Sequence, residues 1–268
     1  MQVLQIPRFF RQAGRLRSVF DQRFADPLQA KADRFQWDYW HVPDEYTLLR
    51  TPSYHYFPAR LYESFHRHLV MWGRENLGCH DVSPPWLSLY VEGCRQNQHQ
   101  DLPHGPLAFV YSLTRHYGRN FKGGETRIPS LRKKIPPHFN QLTIFNPGLP
   151  HSVSPVRGTH DPRYGRLVIN GWFVQPRPFW IGPHSAKEVG RELDRVLGGL
   201  RVRVRNSAFV SFRLNIGTNG RVQKVTPLID TLSKSDRSAL KEIAESLKGI
   251  NFRPKNHGLK LTLPITFA

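Results

Sequence analysis

Apolar positions change their spacing along the chain, and each change marks a different kind of element. Phe9, Phe10, Leu16, Val19, Phe20 and Phe24 recur mainly at helical spacing until Asp26-Pro27 interrupts them, which predicts an amphipathic helix from Leu4 to about Gln29. Tyr62, Phe65, Leu69 and Trp72 form one stripe of a second helix, with Gly78 on its far side. Between Trp86 and Phe173 the pattern becomes short apolar runs separated by Gly, Pro and Asn. WLSLYV, LAFVYSL, GGETRI, QLTIF, HSVSPV and RLVINGWF are six candidate strands, the pattern of a barrel or sandwich. Pro176, Pro178, Gly182 and Pro183 then punctuate the chain, a polar helix follows from Ala186 to Leu197, and Gly198-Gly199 closes it.

From Leu200 onward a smaller unit is expected. RVRVRNSAFVSFRLNIG alternates like a half-buried strand, Thr218-Asn219-Gly220 is a hairpin turn, and RVQKVTPLI is the return strand. A helix from Lys234 to Leu247 and a closing strand LKLTLPITF complete a strand–strand–helix–strand order. The domains read from this are 1–183, a helical linker over 184–199, and a small α+β module over 200–268.

Composition narrows the class. The 268 residues are 39% hydrophobic and 12% aromatic, enough for one large core or two smaller ones and too apolar for disorder. Twenty-two Pro and 20 Gly fit a loop-rich, β-rich body. No apolar run approaches the roughly 18–20 residues of a membrane span, and the basic start MQVLQIPRFFRQAGRLR lacks the continuous apolar core of a secretory signal. The expectation is a cytoplasmic protein without a membrane partner. Cys79 and Cys94 make no disulfide framework. The formal charge of +19 favours acidic partners, and it allows nucleic acid as the least favoured of them, because the basic residues are scattered rather than run together.

His99-Gln-Asp101 sets an imidazole and a carboxylate two residues apart, so at a strand end both point to one face and can share a metal ion. Alone this is a weak signal in a chain with 13 His. His151, about fifty residues later in NPGLPHSVSPV, supplies a second imidazole. Two histidines and one carboxylate make the facial triad of non-haem Fe(II) oxygenases, which leaves open positions for a bidentate co-substrate and O2. Arg166 follows in RYGRLVINGWF, where a buried guanidinium needs an anionic partner such as the far carboxylate of a dicarboxylate; Arg157 is the weaker candidate for that role.

The stretch from Tyr90 to Phe173 resembles the prolyl-4-hydroxylase-like branch of the Fe(II)/2-oxoglutarate-dependent dioxygenases. The resemblance rests on the order Tyr90 and Gly93, His99 and Asp101, LAFVYSLT, GGETRI, FNPGLPHSV and RLVINGWF. It implies an α+β protein built on a double-stranded β-helix, a jelly-roll or cupin-like barrel with supporting N-terminal helices. It further implies Fe(II) held by His99, Asp101 and His151, 2-oxoglutarate anchored by Arg166, Tyr90 as a second co-substrate contact, and O2 as oxidant. The tyrosine that some relatives carry on the LAFVYSL strand falls at Ser112, which makes Ser112 a further candidate contact. Gly123, Gly124, Glu125 and Thr126 match the family's GGET turn and are expected to be structural. His104, close in sequence to Asp101, is a candidate substrate neighbour.

The C-terminal segment is similar to the C-terminal domain of the TonB energy-transducing proteins, through FVSFRLNIGTNGRVQKVTPLI, SALKEIAESL and NFRPKNHGLKLTLPITF. That implies a module with a free sheet edge able to take an extended peptide, or else a dimerisation unit. Arg201, Arg203 and Arg205 are expected on one face of its first strand. The reaction implied is hydroxylation of an unactivated C–H with release of succinate and CO2, with a peptide or protein residue favoured as substrate. The alternatives are a small molecule or free amino acid as substrate, and a non-catalytic binding protein on the same scaffold.

Overall fold

The structure, a computed structural model, describes residues 3–25 and 37–267. The chain divides into two compact units, one formed by Val3–His68 with Val82–Phe173 and the other by Leu69–Asp81 with Val174–Ala268.

The first unit is built on a strand-rich antiparallel sheet. Its path runs through Val3–Pro7, Gln141–Phe145, Leu107–Ser112, Arg166–Pro176, Trp86–Tyr90, Tyr46–Pro52, Arg95–His99, His151–Val153, Thr126–Ile128 and Lys133–Ile135. Residues near the two ends of this path line one cavity, so the sheet is rolled into a half-barrel consistent with the jelly roll of 2-oxoglutarate oxygenases. All six strands expected between Trp86 and Phe173 form.

The N-terminal segment departs from expectation. Val3–Pro7 is an edge strand paired with Gln141–Phe145, and the helix is confined to Ala13–Ala25. Arg8, at φ 53°, breaks the chain direction after Pro7, and Phe9 and Phe10 then turn inward. Gln29 lies outside the described residues. Phe10 meets Phe65 at 5.4 Å and Phe65 meets Tyr111 at 4.8 Å, so aromatic contacts fix the helical layer on the sheet's outer face. Fully buried Arg17 donates to Asp21 at 2.8 Å and to the Leu113 carbonyl at 3.0 Å, which satisfies a charge that burial alone would make costly. The second helix is longer than its apolar stripe, Ala59–Leu77, and Gly78 at φ +72° ends it with its N–H on the Arg74 carbonyl at 3.2 Å.

In the second unit four antiparallel strands lie in the order Phe179–Ile181, Leu259–Phe267, Ala208–Ile216 and Val222–Asp230. Gly220, at φ +80°, closes the expected hairpin. Two earlier expectations need correction. The segment 184–199 is no linker: the helix Ala186–Gly198, started by a Ser185/Glu188 capping box, sends Val189 and Leu193 into the same core as Val210, Phe212 and Leu214. The alternation from Arg201 to Arg205 is real, with the arginines exposed and Val202 and Val204 packed on that core, but no strand forms before Ala208 because no neighbouring strand pairs with it. The face of Ala208–Ile216 opposite the core belongs to Arg213, which bonds Thr262 at 3.1 Å and the Glu75 carbonyl. Among the described residues no helix is long and apolar enough to cross a membrane.

Candidate active site

His99 ends the strand Arg95–His99, and His151 begins His151–Val153. The two are direct partners in the antiparallel register, which puts their rings on one face with centroids 4.3 Å apart. Asp101 follows in a turn whose position is fixed by its backbone N–H bond to the Pro147 carbonyl at 3.0 Å. Its two carboxylate oxygens stand 3.5 Å from His99 Nε2 and 3.4 Å from His151 Nε2. Each imidazole has its Nδ1 on a nearby backbone carbonyl, His99 on Asn97 at 2.7 Å and His151 on Leu149 at 2.9 Å. With Nδ1 on the backbone carbonyl, Nε2 is the atom turned toward Asp101, the orientation a metal ligand needs. Among the described residues these three form the one cluster whose ligand atoms, all within 4.8 Å of one another, could hold a metal.

Electrostatics agree with the geometry. Burial opposes charge on Asp101, but the His151 hydrogen bond and the neighbouring His151, His99 and His104 outweigh it and hold the carboxyl below its ordinary value. Burial pushes the His99 imidazole down, the Asn97 carbonyl opposes this, and His151 and Arg50 add to the lowering. Both shifts favour an ionised carboxylate beside a neutral imidazole, the forms that bind a divalent cation.

The triad opens into a cavity of about 160 Å3. On the same rolled sheet Arg166 and Tyr90 are register partners, and the guanidinium carbon lies 4.5 Å from the Tyr90 ring centroid. Arg166 is 2% exposed, its Nε and Nη1 have no hydrogen-bond partner, and burial lowers its pKa below the ordinary arginine value. An unsatisfied buried guanidinium aimed into a cavity calls for an anion, and the fork geometry suits a carboxylate. Gly124 makes room for it: at φ +73°, a Cβ there would press on Arg166 Cδ at 3.0 Å.

The remaining candidates divide. Tyr90 lines the cavity and its hydroxyl donates to Gln96 Oε1 at 3.4 Å. His104 also lines it, its ring tilted against Trp172 with the centroids 4.5 Å apart. The structure does not bring Ser112 to the cavity lining; its hydroxyl donates to the Pro137 carbonyl at 3.0 Å and accepts from the Thr114 N–H, both local to the far end of its strand. Arg157 lines a separate cavity with Lys122, Arg127 and Lys134. Arg50, Gln96, Asn170 and Trp172 line the candidate site and carry no motif in the sequence; only the strand alternation of Arg166, Val168, Asn170 and Trp172 could have pointed to the last two.

Glu125 of the GGET turn is buried beneath this arrangement, accepting from Tyr117 Oη at 2.9 Å and from Ser154 Oγ, with Lys134 Nζ at 3.1 Å. Burial alone would raise its pKa, but these bonds lower it from 4.5 to about 2. A carboxyl lowered on folding stabilises the native state above its ordinary pKa and loses that contribution as pH falls toward 2. Glu125→Gln is therefore expected to cost on the order of 3 kcal/mol at pH 7. Urea titrations should find the gap between variant and wild type closing between pH 5 and about 2; a gap independent of pH would show that packing, not charge, sets the cost.

Residues 85–174 match the 2OG-Fe(II) oxygenase superfamily. The protein is accordingly an enzyme, a 2-oxoglutarate-dependent oxygenase whose cofactors are Fe(II), 2-oxoglutarate and O2. No curated protein matches the sequence. Among solved structures, a Pseudomonas putida prolyl-4-hydroxylase is 17% identical over 65% of this chain and 92% of its own, with TM-score 0.47. The viral collagen prolyl hydroxylase of Paramecium Bursaria Chlorella virus-1, as its 2-oxoglutarate complex, is 15% identical over 64% and 95%, with TM-score 0.45. HygX from Streptomyces hygroscopicus, with nickel and 2-oxoglutarate bound, is 12% identical over 63% and 81%, with TM-score 0.44.

Proposed function

We propose that the enzyme hydroxylates an unactivated C–H of a peptide or protein residue, with Fe(II) held by His99, Asp101 and His151 and 2-oxoglutarate by Arg166 and Tyr90. The observation that carries this reading is one cavity with a His–Asp–His cluster on one wall and a buried, unsatisfied arginine on the other. When bound, iron, 2-oxoglutarate and O2 supply the oxidation that places oxygen on a C–H bond while 2-oxoglutarate becomes succinate and CO2. The chain's own contribution is to bind and orient. The Nδ1 bonds of His99 and His151 aim their Nε2 atoms, Asp101 supplies the negative charge, and the Arg166 fork fixes the far end of the co-substrate against Tyr90. Phe145, packed on His151 at 4.8 Å, and Val153 keep that wall dry.

The TonB-like reading of the C-terminal residues belongs to the same proposal. Among the described residues the outer strand Val222–Asp230 pairs on one side only, with Ala208–Ile216, and offers an edge for strand addition by a peptide. A cytoplasmic location completes it. A small-molecule substrate is the second reading, which the cavity of about 160 Å3 also fits. Anaerobically purified protein given Fe(II), 2-oxoglutarate and O2 should form succinate slowly without substrate and faster with the right one. Failure to bind both Fe(II) and 2-oxoglutarate would end the proposal. Stimulation by free amino acids and by no peptide would select the second reading.

A further inference from the structure

The cavity holds a second arginine that co-substrate binding does not require. Arg50 lies on Tyr46–Pro52, in register with Ser88 of Trp86–Tyr90, two residues from Tyr90 and so about 7 Å along the strand. Burial falls in that direction. Along Arg166–Pro176, Arg166 and Val168 are buried whereas Asn170 and Trp172 are partly exposed. Arg50, half-buried, therefore stands at the outer part of the same cavity, toward solvent from Arg166.

Its side chain is fixed before any ligand arrives. Nε donates to Ser88 Oγ at 3.3 Å, and Ser88 Oγ in turn donates to Asn170 Oδ1 at 2.7 Å. The guanidinium lies 5.0 Å from the Trp40 ring centroid and 5.5 Å from that of Trp86. Both Nη groups are without a hydrogen bond or carboxylate among the described residues. Asp38, opposite in register, is exposed and forms no ion pair with it. Asp101, the one carboxylate in the lining, faces the two histidines. A rigid, half-desolvated guanidinium with its fork free is a receptor for a carboxylate, and holding it in place beforehand lowers the entropy lost on binding.

We propose that Arg50 binds a carboxylate of the substrate, so that the group oxidised sits beside an acidic function. The inference rests on the oxygenase-site reading above. It gives the substrate's chemistry as acidic, supplied either by an Asp or Glu side chain of a peptide or by the α-carboxylate of a free amino acid or peptide C-terminus. The overall charge of +19 draws such ligands toward the protein.

The test uses the full chain with Fe(II) and 2-oxoglutarate, and reads succinate formation above the substrate-free rate. The probes are peptides paired as Asp against Asn and Glu against Gln, each with a free or an amidated C-terminus, together with free amino acids. Acid members should stimulate and their amide twins should not, and which acid matters separates the two sources. Arg50→Gln should raise the KM for a stimulating acid about 10- to 100-fold. Arg50→Lys, which keeps the charge but not the fork, should recover part of the loss. Equal stimulation by acid and amide, no stimulation by any probe, or an unchanged KM for the stimulating acid in Arg50→Gln would overturn the proposal alone. Loss of 2-oxoglutarate binding by the wild type would overturn the oxygenase-site reading and this one with it. Should Arg50→Gln fold poorly, the acid–amide comparison on the wild type still decides.

Discussion

Asp101→Ala is expected to abolish Fe(II) binding and lower 2-oxoglutarate-dependent succinate formation by more than about 10^3-fold, because the metal supplies several kcal/mol of the rate enhancement. The carboxylate is the cluster's one anionic donor, with an oxygen toward each imidazole. Without it a divalent cation would meet two neutral nitrogens and keep its full charge in a partly buried wall, a poor exchange for water. The fold should survive, since the strand pairing of His99 with His151 and the Asp101 backbone bond to Pro147 do not involve the carboxylate. Equilibrium dialysis against Fe(II), beside a thermal melt, measures both. Full metal occupancy and turnover in the variant would remove Asp101 from the site.

How much of this was legible before the structure depends on where burial is one-sided. The six strands between Trp86 and Phe173 announce themselves because they carry their apolar residues in tight runs, and His99, Asp101, His151 and Arg166 follow from residue type and spacing. Arg95–His99 reads RQNQH, with no apolar residue at all, yet it is a strand because its polar side chains face the cavity and solvent. Periodicity has nothing to register in such a segment. Tyr46–Pro52, YTLLRTP, is likewise read poorly, and with it the placement of Arg50, which becomes visible only once that strand lies beside Trp86–Tyr90. The N-terminal helix is shorter than the apolar spacing predicts, since Phe9 and Phe10 fit that spacing while serving as a bent connection behind Pro7. Ser112 shows the opposite error, a position inferred from relatives whose hydroxyl is already engaged by local backbone.

Arg166→Met separates binding from stability in a way that tests the co-substrate assignment directly. In the wild type, Nε and Nη1 are buried without partners, so the free protein holds a desolvated charge that Tyr90 and Glu125 satisfy only in part. Methionine fills similar space without that charge, and the free variant should melt at the same temperature or higher. With the metal supplied, 2-oxoglutarate at 100 times its Kd should stabilise the wild type by about 2.7 kcal/mol. The variant should lose this response, and its KM for 2-oxoglutarate should rise by about 30- to 4,000-fold, the range expected when one partner of a buried charge pair is removed. Arg166→Lys should fall between the two, keeping a positive charge but not the fork, and its ammonium cannot lie flat on Tyr90 as the guanidinium does at 4.5 Å. A variant that melts lower than wild type in the free state and keeps its response to 2-oxoglutarate would mean that Arg166 is a structural cation, and that the anion site lies elsewhere.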